Sequence, residues 1–378
     1  MSVVVIAVIL TALVFDFTNG FHDTANAMAT SIATGALRPR VAVLLAGALN
    51  LIGAFLSVQV ALTISSGLVD EARITPQVIF GALVGAILWN LLTWLVGLPS
   101  SSSHALFGGL IGATWVFAGF GAVHLSTVLG MVLVPLVLSP VVAGVVALAA
   151  TWIAYRIAAH GDPRLTSRGF RNAQVVSASM VALAHGTNDA QKTMGVITLT
   201  LITVGLLPTH SAPPLWVILL CGLAIAAGTA MGGWRIIRTL GHRISNIEST
   251  QGFVAETAST AVILSSAQLG FALSTTQVTT GAVLGSAAGR HVRGVRWGVA
   301  GQMLAGWLLT LPAAAAVGAL AAWTASRGTV GTLLVALVLV VAGCGIYRLG
   351  RRRPVTAATV NAAQPVQPAV AAPARAVA

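Results

Sequence analysis

Long apolar segments without charge dominate the chain and restrict it to one class of fold. Residues 42–62, AVLLAGALNLIGAFLSVQVAL, form one of about ten such segments. A helix needs about 20 residues to cross the hydrocarbon core of a bilayer, whereas a membrane barrel would show short segments of alternating polarity. Only 7% of the residues are charged and 57% are hydrophobic, against about 25% charged residues in soluble domains. The sequence therefore predicts an all-α polytopic membrane protein.

The basic residues indicate orientation in the membrane rather than nucleic-acid binding. The formal net charge is +12, but the arginines lie in short segments between apolar spans, as is typical of cytoplasmic loops. These segments can all lie on one side of the membrane: residues 38–40, 156–171, 235–243, 290–296 and 348–353. We therefore expect a protein of the cell membrane, with the lipid bilayer as a partner and the central basic loop in the cytoplasm.

Five predicted spans precede the central basic segment and five follow it. They lie near residues 3–33, 40–62, 77–97, 100–118 and 126–156, then near 174–208, 214–233, 251–268, 270–288 and 298–322. An odd number of crossings reverses the second half relative to the first. This count predicts two inverted-topology repeats of about five spans each, with broken or re-entrant helices, plus a C-terminal helix.

The same count sets the expected domain boundaries. We expect a first transmembrane repeat at 1–156, a basic cytoplasmic loop at 157–173, a second repeat at 174–322, an extra transmembrane helix at 331–347 and a tail at 350–378. The tail consists mostly of Pro, Ala, Val and Gln with little charge after Arg353, a composition that predicts disorder.

Two pairs of related strings support a duplication of the chain. NGFHDTANAM at residues 19–28 aligns with HGTNDAQKTM at 185–194 at an offset of 166 residues. GLPSSSSHALFGGLIG at 97–112 aligns with GFALSTTQVTTGAVLG at 270–285 at an offset of 173. Because the two pairs keep the same order and nearly the same offset, chance similarity is a poor explanation.

The first pair of strings places a carboxylate inside each of two apolar segments. Asp23 and Asp189 are two of only eight acidic residues, and an unpaired carboxylate in hydrocarbon costs about 2.5 to 3.5 kcal/mol even on lenient scales. Gly20 and Gly186 precede them by three residues and would allow each helix to unwind, exposing carbonyl oxygens to a cation. The structural alternative is that each Asp caps half of a broken helix. Asp16 lies two turns before Asp23, and it either assists Asp23 in its role or is structural.

The second pair of strings carries two clusters of hydroxyl groups. Pro99 tends to begin a helix, so the hydroxyls after it fall in a first turn, where free N–H groups and the helix dipole favour an anion. A single cluster more often packs or bonds to its own helix, but duplication favours a site for a tetrahedral oxyanion. The candidate residues are Ser101, Ser102 and Ser103, with Ser274, Thr275 and Thr276 as the second copy.

Histidines and the single lysine of the chain lie close to these motifs. His22, His104 and His185 titrate near neutral pH, so proton coupling and a neutral, hydrogen-bonded imidazole are both compatible with the sequence. Lys192 follows Asp189 by three residues and can pair with it on one helical face. Lys192 either neutralises Asp189 alone or also replaces a cation and attracts the anion.

The motifs resemble the duplicated signatures of the inorganic phosphate transporter family, symporters that move phosphate with sodium or protons. The resemblance extends over nearly the whole chain, to about residue 348, and includes both hydroxyl clusters. It implies an inverted-repeat fold with phosphate bound between the repeats and a cation held by the paired Asp motifs. At the matching positions, Asp23, Asn26, Asn188 and Asp189 would take the cation and help to place the phosphate. The hydroxyl clusters and Thr187 would contact the phosphate itself.

The chain departs from the family signature at both motifs. His22 stands where the signature has Asn, and Gln191 and Lys192 stand where it has Ala and Asn. These departures predict an asymmetric cation site in which Lys192 occupies the place of one ion. Proton coupling and transport of a neutral metal phosphate complex are then as compatible with the sequence as sodium coupling. Of these alternatives, we favour proton coupling.

The sequence thus predicts a secondary phosphate transporter that works by alternating access, and not an enzyme. Sulfate is an alternative substrate, because the two oxyanions differ mainly in protonation. An anion channel would not need two buried carboxylates beside its substrate, and no nucleophile with a base or metal-ligand cluster points to an enzyme. We expect no cofactor beyond a co-transported proton or sodium, no metal site except possible sodium at Asp23 and Asp189, and no nucleic-acid partner. A homo-oligomer is compatible with the sequence.

Overall fold

Helices make up nearly all of the fold. The structure, a computed structural model, describes residues 2–160 and 162–362, and the only β pairing within them is an isolated bridge between Val69 and Val123. The first half contains α1 Val3–Ala33, α2 Pro39–Gly53, α3 Gln59–Gly67, α4 Pro76–Val96, α5 Ser102–Ala118, α6 Leu125–Val128 and α7 Val134–Ala158. The second half contains α8 Pro163–Thr203, α9 Leu215–Met231, α10 Trp234–Arg238, α11 Ser249–Gln268, α12 Thr275–Arg290, α13 Trp297–Ala325 and α14 Thr329–Arg352. The predicted all-α class is confirmed.

Fewer helices than predicted are long and apolar enough to cross a membrane unaided. Among the described residues there are five: Val3–Ala33, Pro76–Val96, Leu125–Ala158, Trp297–Ala325 and Thr329–Arg352. A sixth results if Leu215–Met231 and Trp234–Arg243, which bend by 58° at a short break, form one broken span. Several other predicted spans are helices of only 15 to 17 residues, such as α2, α5 and α12, too short to satisfy a requirement of about 20 residues.

The two helices that carry the Asp motifs do not unwind at their glycines. α1 and α8 are continuous through Gly20 and Gly186, so the expectation of exposed carbonyl oxygens there was wrong. A Cβ at Gly20 would lie 2.3 Å from the backbone oxygen of Ile225, and one at Gly186 would lie 2.3 Å from that of Asn50. The glycines are therefore required for close helix packing, a common role in membrane bundles.

Two predicted segments have different boundaries in the structure. The span expected at 40–62 is divided by residues 54–58 into α2 and α3. The loop expected at 157–173 is helical from Pro163 onward, because the Asp162 side chain accepts hydrogen bonds from the N–H groups of Arg164 and Leu165 and Pro163 occupies the first helical turn. Asp162 therefore starts α8 well before the apolar residues begin.

The tail expected to be disordered from residue 350 is partly structured. α14 continues to Arg352, and Arg238 donates from its guanidinium to the carbonyl oxygen of Thr359. Asn361 donates to the carbonyl oxygen of Ile32, and Val360 is buried. These donors and this apolar contact order the segment up to residue 362, while residues 363–378 lie outside the described part of the chain.

The helices of the two halves pack reciprocally. α5 packs against α13 as α12 packs against α7, and α1 packs against α9 as α8 packs against α2. Glycines allow the first two contacts, since a Cβ at Gly112 would meet the Ala315 backbone and one at Gly285 would meet that of Gly144. This pattern agrees with a duplicated chain, and the inverted orientation of the halves stays a prediction.

The basic segments meet at one end of the bundle. Arg171 donates to the carbonyl oxygen of Gly35, Arg235 donates to that of Gly350, and Arg296 donates to that of His242. Their common location agrees with the prediction that all basic loops lie on the same side.

Candidate functional site

The amino ends of α5 and α12 meet beside the middle of α1 and α8. Ser101 and Ser274 cap the two helices in the same way, since each hydroxyl accepts a hydrogen bond from the N–H group three residues later. Ser103 Oγ donates to the carbonyl oxygen of Leu273 over 3.1 Å, which joins the two amino ends. The first-turn N–H groups of a helix have no acceptor within that helix, so both ends carry partial positive charge.

Three side chains contact the carboxylate of Asp23 on α1: Ser102 of α5, Thr276 of α12 and the adjacent His22. Ser102 Oγ donates to Asp23 Oδ2 over 2.8 Å, and Thr276 Oγ1 lies 3.4 Å from Asp23 Oδ1. His22 Nδ1 lies 2.5 Å from the same Oδ1, while its Nε2 lies 3.2 Å from Thr93 Oγ1 of α4. Both predicted hydroxyl clusters therefore reach this carboxylate.

Asp189 of α8 has a corresponding set of donors with one added charge. Thr275 Oγ1 donates to Asp189 Oδ2 over 3.1 Å, and Lys192 Nζ lies 2.6 Å from Asp189 Oδ1. The same ammonium donates to Ser103 Oγ over 2.6 Å. Lys192 therefore joins the second carboxylate to the first hydroxyl cluster and is fully buried while doing so.

The contacts of the two halves correspond position by position. Ser102 donates to Asp23 as Thr275 donates to Asp189, and these residues are equivalent under the two sequence offsets. The duplication inferred from the strings is thus visible in the hydrogen bonds at the centre of the fold.

A second corresponding pair shows where the symmetry fails. Asn26 Nδ2 donates to Thr276 Oγ1 over 3.0 Å, and Lys192, which is equivalent to Asn26, donates to Ser103 Oγ. The geometry is conserved between the halves, but a neutral amide in one is replaced by an ammonium in the other. The halves therefore differ in charge at this position, and also in the ion pair of Lys192 with Asp189, which has no counterpart between Asn26 and Asp23 in the described contacts.

His185 completes a group of possible metal ligands that the sequence did not reveal. Side-chain ligand atoms of Asp23, His185 and Asp189 all lie within 4.8 Å of one another. His185 Nε2 is 3.2 Å from Asp189 Oδ2 but is not oriented for a hydrogen bond to any described residue, while Nδ1 lies 3.2 Å from Asn50 Oδ1. The only signal was its position one turn before Asp189; the approach of Asp23 from the other half could not be read from the chain.

Four of the predicted site residues, Ser101, His104, Thr187 and Ser274, form no described hydrogen bond to either carboxylate or to Lys192, and the two serines only cap their helices. Thr187 Oγ1 donates to the carbonyl oxygen of Leu183 in its own helix, and Gly53 of α2 packs beside it. His104 Nδ1 lies 2.6 Å from Oγ of Ser101, which caps the same helix. The contacts of Thr187 and His104 are therefore those of helix structure.

Two buried amides beside the centre keep free hydrogen-bonding capacity. Neither side-chain polar atom of Asn188 has a partner among the described residues, and the same holds for Gln277 in the first turn of α12. Unsatisfied buried amides are costly, so these groups are available to a ligand. Gln277 was noted in the sequence only as the counterpart of His104.

The centre has a net negative charge and is buried. Asp23, Asp189 and Lys192 are at most 1% exposed, and with neutral histidines their formal charges leave one negative charge. One monovalent cation would neutralise the centre. Paired helix ends and paired carboxylates, buried together in a membrane bundle of helices, define a membrane transporter rather than an enzyme.

Comparison with known proteins identifies the family. The model of the phosphate transporter family matches residues 19–168 and 156–318, and the chain belongs to this family. The resemblance inferred from the motifs is confirmed, and so is the class of transporter.

Curated relatives match over most of the chain. A protein named "Probable low-affinity inorganic phosphate transporter" from Mycobacterium tuberculosis is 54% identical over 358 residues, which cover 94% of this chain and 86% of the relative. A protein of the same name from Bacillus subtilis is 42% identical over 321 residues, covering 84% of this chain and 96% of the relative.

A solved structure has the same fold. It is titled "The sodium-dependent phosphate transporter", and it is 24% identical in sequence with a TM-score of 0.78. The match covers 87% of this chain and 100% of that one. At this identity the likeness establishes the fold, which is that of a helical membrane transporter.

Proposed function

We propose that this protein imports inorganic phosphate together with a cation by alternating access. The observation that carries the proposal is the meeting of two hydroxyl-bearing helix ends with two buried carboxylates. Helix amino ends and hydroxyl donors suit an oxyanion, whereas carboxylates suit a cation. The membership of the chain in the phosphate transporter family supports phosphate as the anion.

The contacts at the centre suggest how cation and phosphate binding are coupled. The hydroxyl hydrogens of Ser102 and Thr275 are held by Asp23 and Asp189. A cation bound by the two carboxylates would compete for these oxygens and release the hydroxyl groups. The released hydroxyls could then donate to phosphate, together with Asn188. Coupling would thus be a change of hydrogen-bond partner at the two helix ends.

The same contacts explain why phosphate should not enter alone. Without a cation, the anion would meet two carboxylates and one ammonium, a centre with net negative charge. Repulsion between like charges in a buried, poorly screened site is strong. The cation therefore has to be present when phosphate binds.

The coupling cation is a proton or a sodium ion. His22 and His185 beside the carboxylates, and Lys192 in the place of one ion, support protons. The oxygen-rich surroundings of Asp23 support sodium, and the solved relative is named as sodium-dependent. The cluster of Asp23, His185 and Asp189 also suits a divalent ion carried as a metal phosphate complex.

Membrane orientation follows from the basic end of the bundle. We propose that the protein lies in the cytoplasmic membrane with this end inside, since short loops rich in Arg stay in the cytoplasm. The buried centre would then open in turn to either side as one repeat moves against the other.

Uptake by purified protein in liposomes tests the function. Radiolabelled phosphate should accumulate above its external concentration when an inward pH gradient or an inward sodium gradient is imposed separately, and the effective gradient identifies the cation. Excess unlabelled sulfate should not compete, and chelation of divalent metals distinguishes free phosphate from a metal complex.

The control for this experiment is Asp23→Asn, which should insert into liposomes but lose accumulation. Purely downhill flux by the unaltered protein would reject symport in favour of a channel. Full competition by sulfate would reassign the substrate.

A further inference from the structure

Asp16 is a buried carboxylate that the central site does not use. Its side chain is 0% exposed, and neither carboxylate oxygen has a hydrogen-bond partner in residues 2–160 or 162–362. An ionised carboxylate without partners in hydrocarbon is costly. Asp16 therefore needs a positive charge or a proton from outside the described contacts.

The contacts between α1 and α8 show where Asp16 lies relative to the centre. Asp23 meets Asp189 and its neighbours, while Thr30 and Ser177 both donate to Glu256. As residue numbers rise along α1 they fall along α8, so the two helices are antiparallel along a common seam. Two turns from Asp23 in the other direction, about 10 Å along the helix, the seam reaches Asp16.

The neighbours of Asp16 are polar and also unpartnered. The Thr193 hydroxyl of α8 faces the Asp16 carboxylate without completing a hydrogen bond to it, and Asn19 follows three residues later on the same face of α1. Within the described part of the chain, the Thr193 hydroxyl and both polar atoms of the Asn19 side chain lack partners, and both residues are fully buried. Carboxylate, amide and hydroxyl oxygens form a ligand set for a hard monovalent cation.

Asn90 extends this unpartnered region to α4. Thr93 of α4 lies beside His22, and the carboxyl ends of both helices reach the same segment, since Gly97 contacts Thr239 and Ala29 contacts Gly241. The two helices therefore run in the same direction, and one turn earlier on each of them Asn90 lies at the level of Asn19. Both side-chain polar atoms of Asn90 are buried without a partner among the described residues. The charged or titratable groups around Asp16 are Asp189 and Lys192 of α8, Cys221 of α9, and His22 and Asp23 of its own helix.

Glu256 of α11, a fourth buried carboxylate beside the seam, has the hydrogen-bond donors that Asp16 lacks. Its oxygens accept hydrogen bonds from Thr30, Ser177 and Gln174. A cluster of donors from neighbouring helices compensates for its burial. Asp16, unlike Glu256, therefore needs an external charge.

We propose that Asp16, with Asn19 and Thr193, is a second cation-accepting site that takes one positive charge in each transport cycle. The inference rests on the proposed function, because it adds a cation to the same coupled uptake. The shared chemistry is neutralisation of one buried carboxylate, by a sodium ion or by a proton. With one negative charge at the centre and one at Asp16, two cations would compensate these two sites.

The number of cations carried per phosphate tests this assignment. In liposomes, radiolabelled sodium uptake or the internal pH change is measured together with labelled phosphate uptake for the wild-type protein, Asp16→Asn, Asp16→Glu and Thr18→Val. Asp16→Asn should lower the ratio by about one cation per phosphate. The decrease should occur in the measurement of sodium uptake if Asp16 binds sodium, and in the measurement of internal pH if it binds a proton. Asp16→Glu should keep the ratio and shift the half-saturating cation concentration.

Thr18→Val is the matched control. Thr18 is a buried residue of the same helix whose hydroxyl donates to the carbonyl oxygen of Phe15, so this variant should keep the wild-type ratio and half-saturation. If Asp16→Asn does not transport, the dependence of phosphate binding on cation concentration is measured with the purified variant, and its slope should fall by about one.

The outcomes separate the two proposals. Absence of coupled uptake by the wild-type protein would overturn the proposed function. Coupled uptake by the wild-type protein with the same cation ratio or slope in Asp16→Asn would overturn the second site alone. If Asp16→Asn fails to fold, an unchanged cation half-saturation in Asp16→Glu would overturn it as well.

Discussion

Lys192 shows how one substitution changes the charge of a duplicated site. It occupies the position of Asn26 and makes the corresponding contact to the opposite hydroxyl cluster. Its ammonium lies 2.6 Å from Asp189, so this carboxylate has a permanent partner that Asp23 lacks. Under the proposed function, this fixed charge would replace one that is otherwise transported.

Replacing Lys192 by Asn should raise the number of cations carried per phosphate by about one. The reason is that Asp189 would need a mobile counter-charge, as Asp23 does. The ratio of cation uptake to phosphate uptake in liposomes measures this change.

Thr198→Val is a suitable control for the Lys192 variant. Thr198 is buried on the same helix, and its hydroxyl donates to the carbonyl oxygen of Met194 within that helix. An unchanged ratio in Lys192→Asn would show that the ammonium does not substitute for an ion.

The sequence predicted the central residues of the site but not all of their contacts. Duplication alone identified Asp23, Asp189, Ser102 and Thr275, because each is repeated at a constant offset. The approach of His185 to Asp23 joins the two halves and has no local signal in the chain.

Gln191 is a further case in which the sequence was ambiguous. It departs from the family signature, and its Oε1 accepts hydrogen bonds from the N–H groups of Val60 and Ala61. Gln191 thus caps the start of α3, a role that depends on a break in a segment predicted to be one span.

At the scale of the helices, glycine was the residue most easily misinterpreted. In an apolar segment, Gly beside Asp is compatible both with unwinding and with close packing. The structure shows close packing at Gly20 and Gly186, where the neighbouring backbones leave no space for a Cβ. Only the neighbouring helices, α9 and α2, decide between the two roles.

Gly186→Ala should lower the free energy of unfolding of the protein by about 1 to 3 kcal/mol. Its Cβ would lie 2.3 Å from the backbone oxygen of Asn50, so α2 and α8 would have to separate. Thermal unfolding in detergent, followed by tryptophan fluorescence, measures the effect.

Gly301→Ala on α13 is the matched control for the helix contact. A Cβ there has no atom within 4 Å, so the change should be neutral or stabilise by up to about 1 kcal/mol through helix propensity. Equal unfolding temperatures for the two variants would contradict the packing role of Gly186.

Helix boundaries were predictable where composition changes sharply and not where caps or tertiary contacts decide them. The predicted span 3–33 coincides with α1. By contrast, α8 begins in a polar segment because of Asp162, and the segment near Asn361 is ordered by contacts with Ile32 and His242. Contacts between segments distant in sequence have no compositional signal.

At the scale of the whole molecule, the structure describes a closed state. The two carboxylates and both hydroxyl clusters are at most 2% exposed, and the hydroxyls of Ser102, Thr275 and Thr276 contact the carboxylates. Reciprocal packing of the halves around this centre is the arrangement expected if one half moves against the other. The central claim is that the cation makes the phosphate site available.

Calorimetric titration of phosphate into the purified protein, at several sodium concentrations and several pH values, tests this claim most directly. After correction for phosphate protonation, affinity should rise by about 5- to 150-fold when the coupling cation is added, and Asp23→Asn should lose most of this dependence. Equal phosphate affinity with and without sodium, and at every pH, would contradict it.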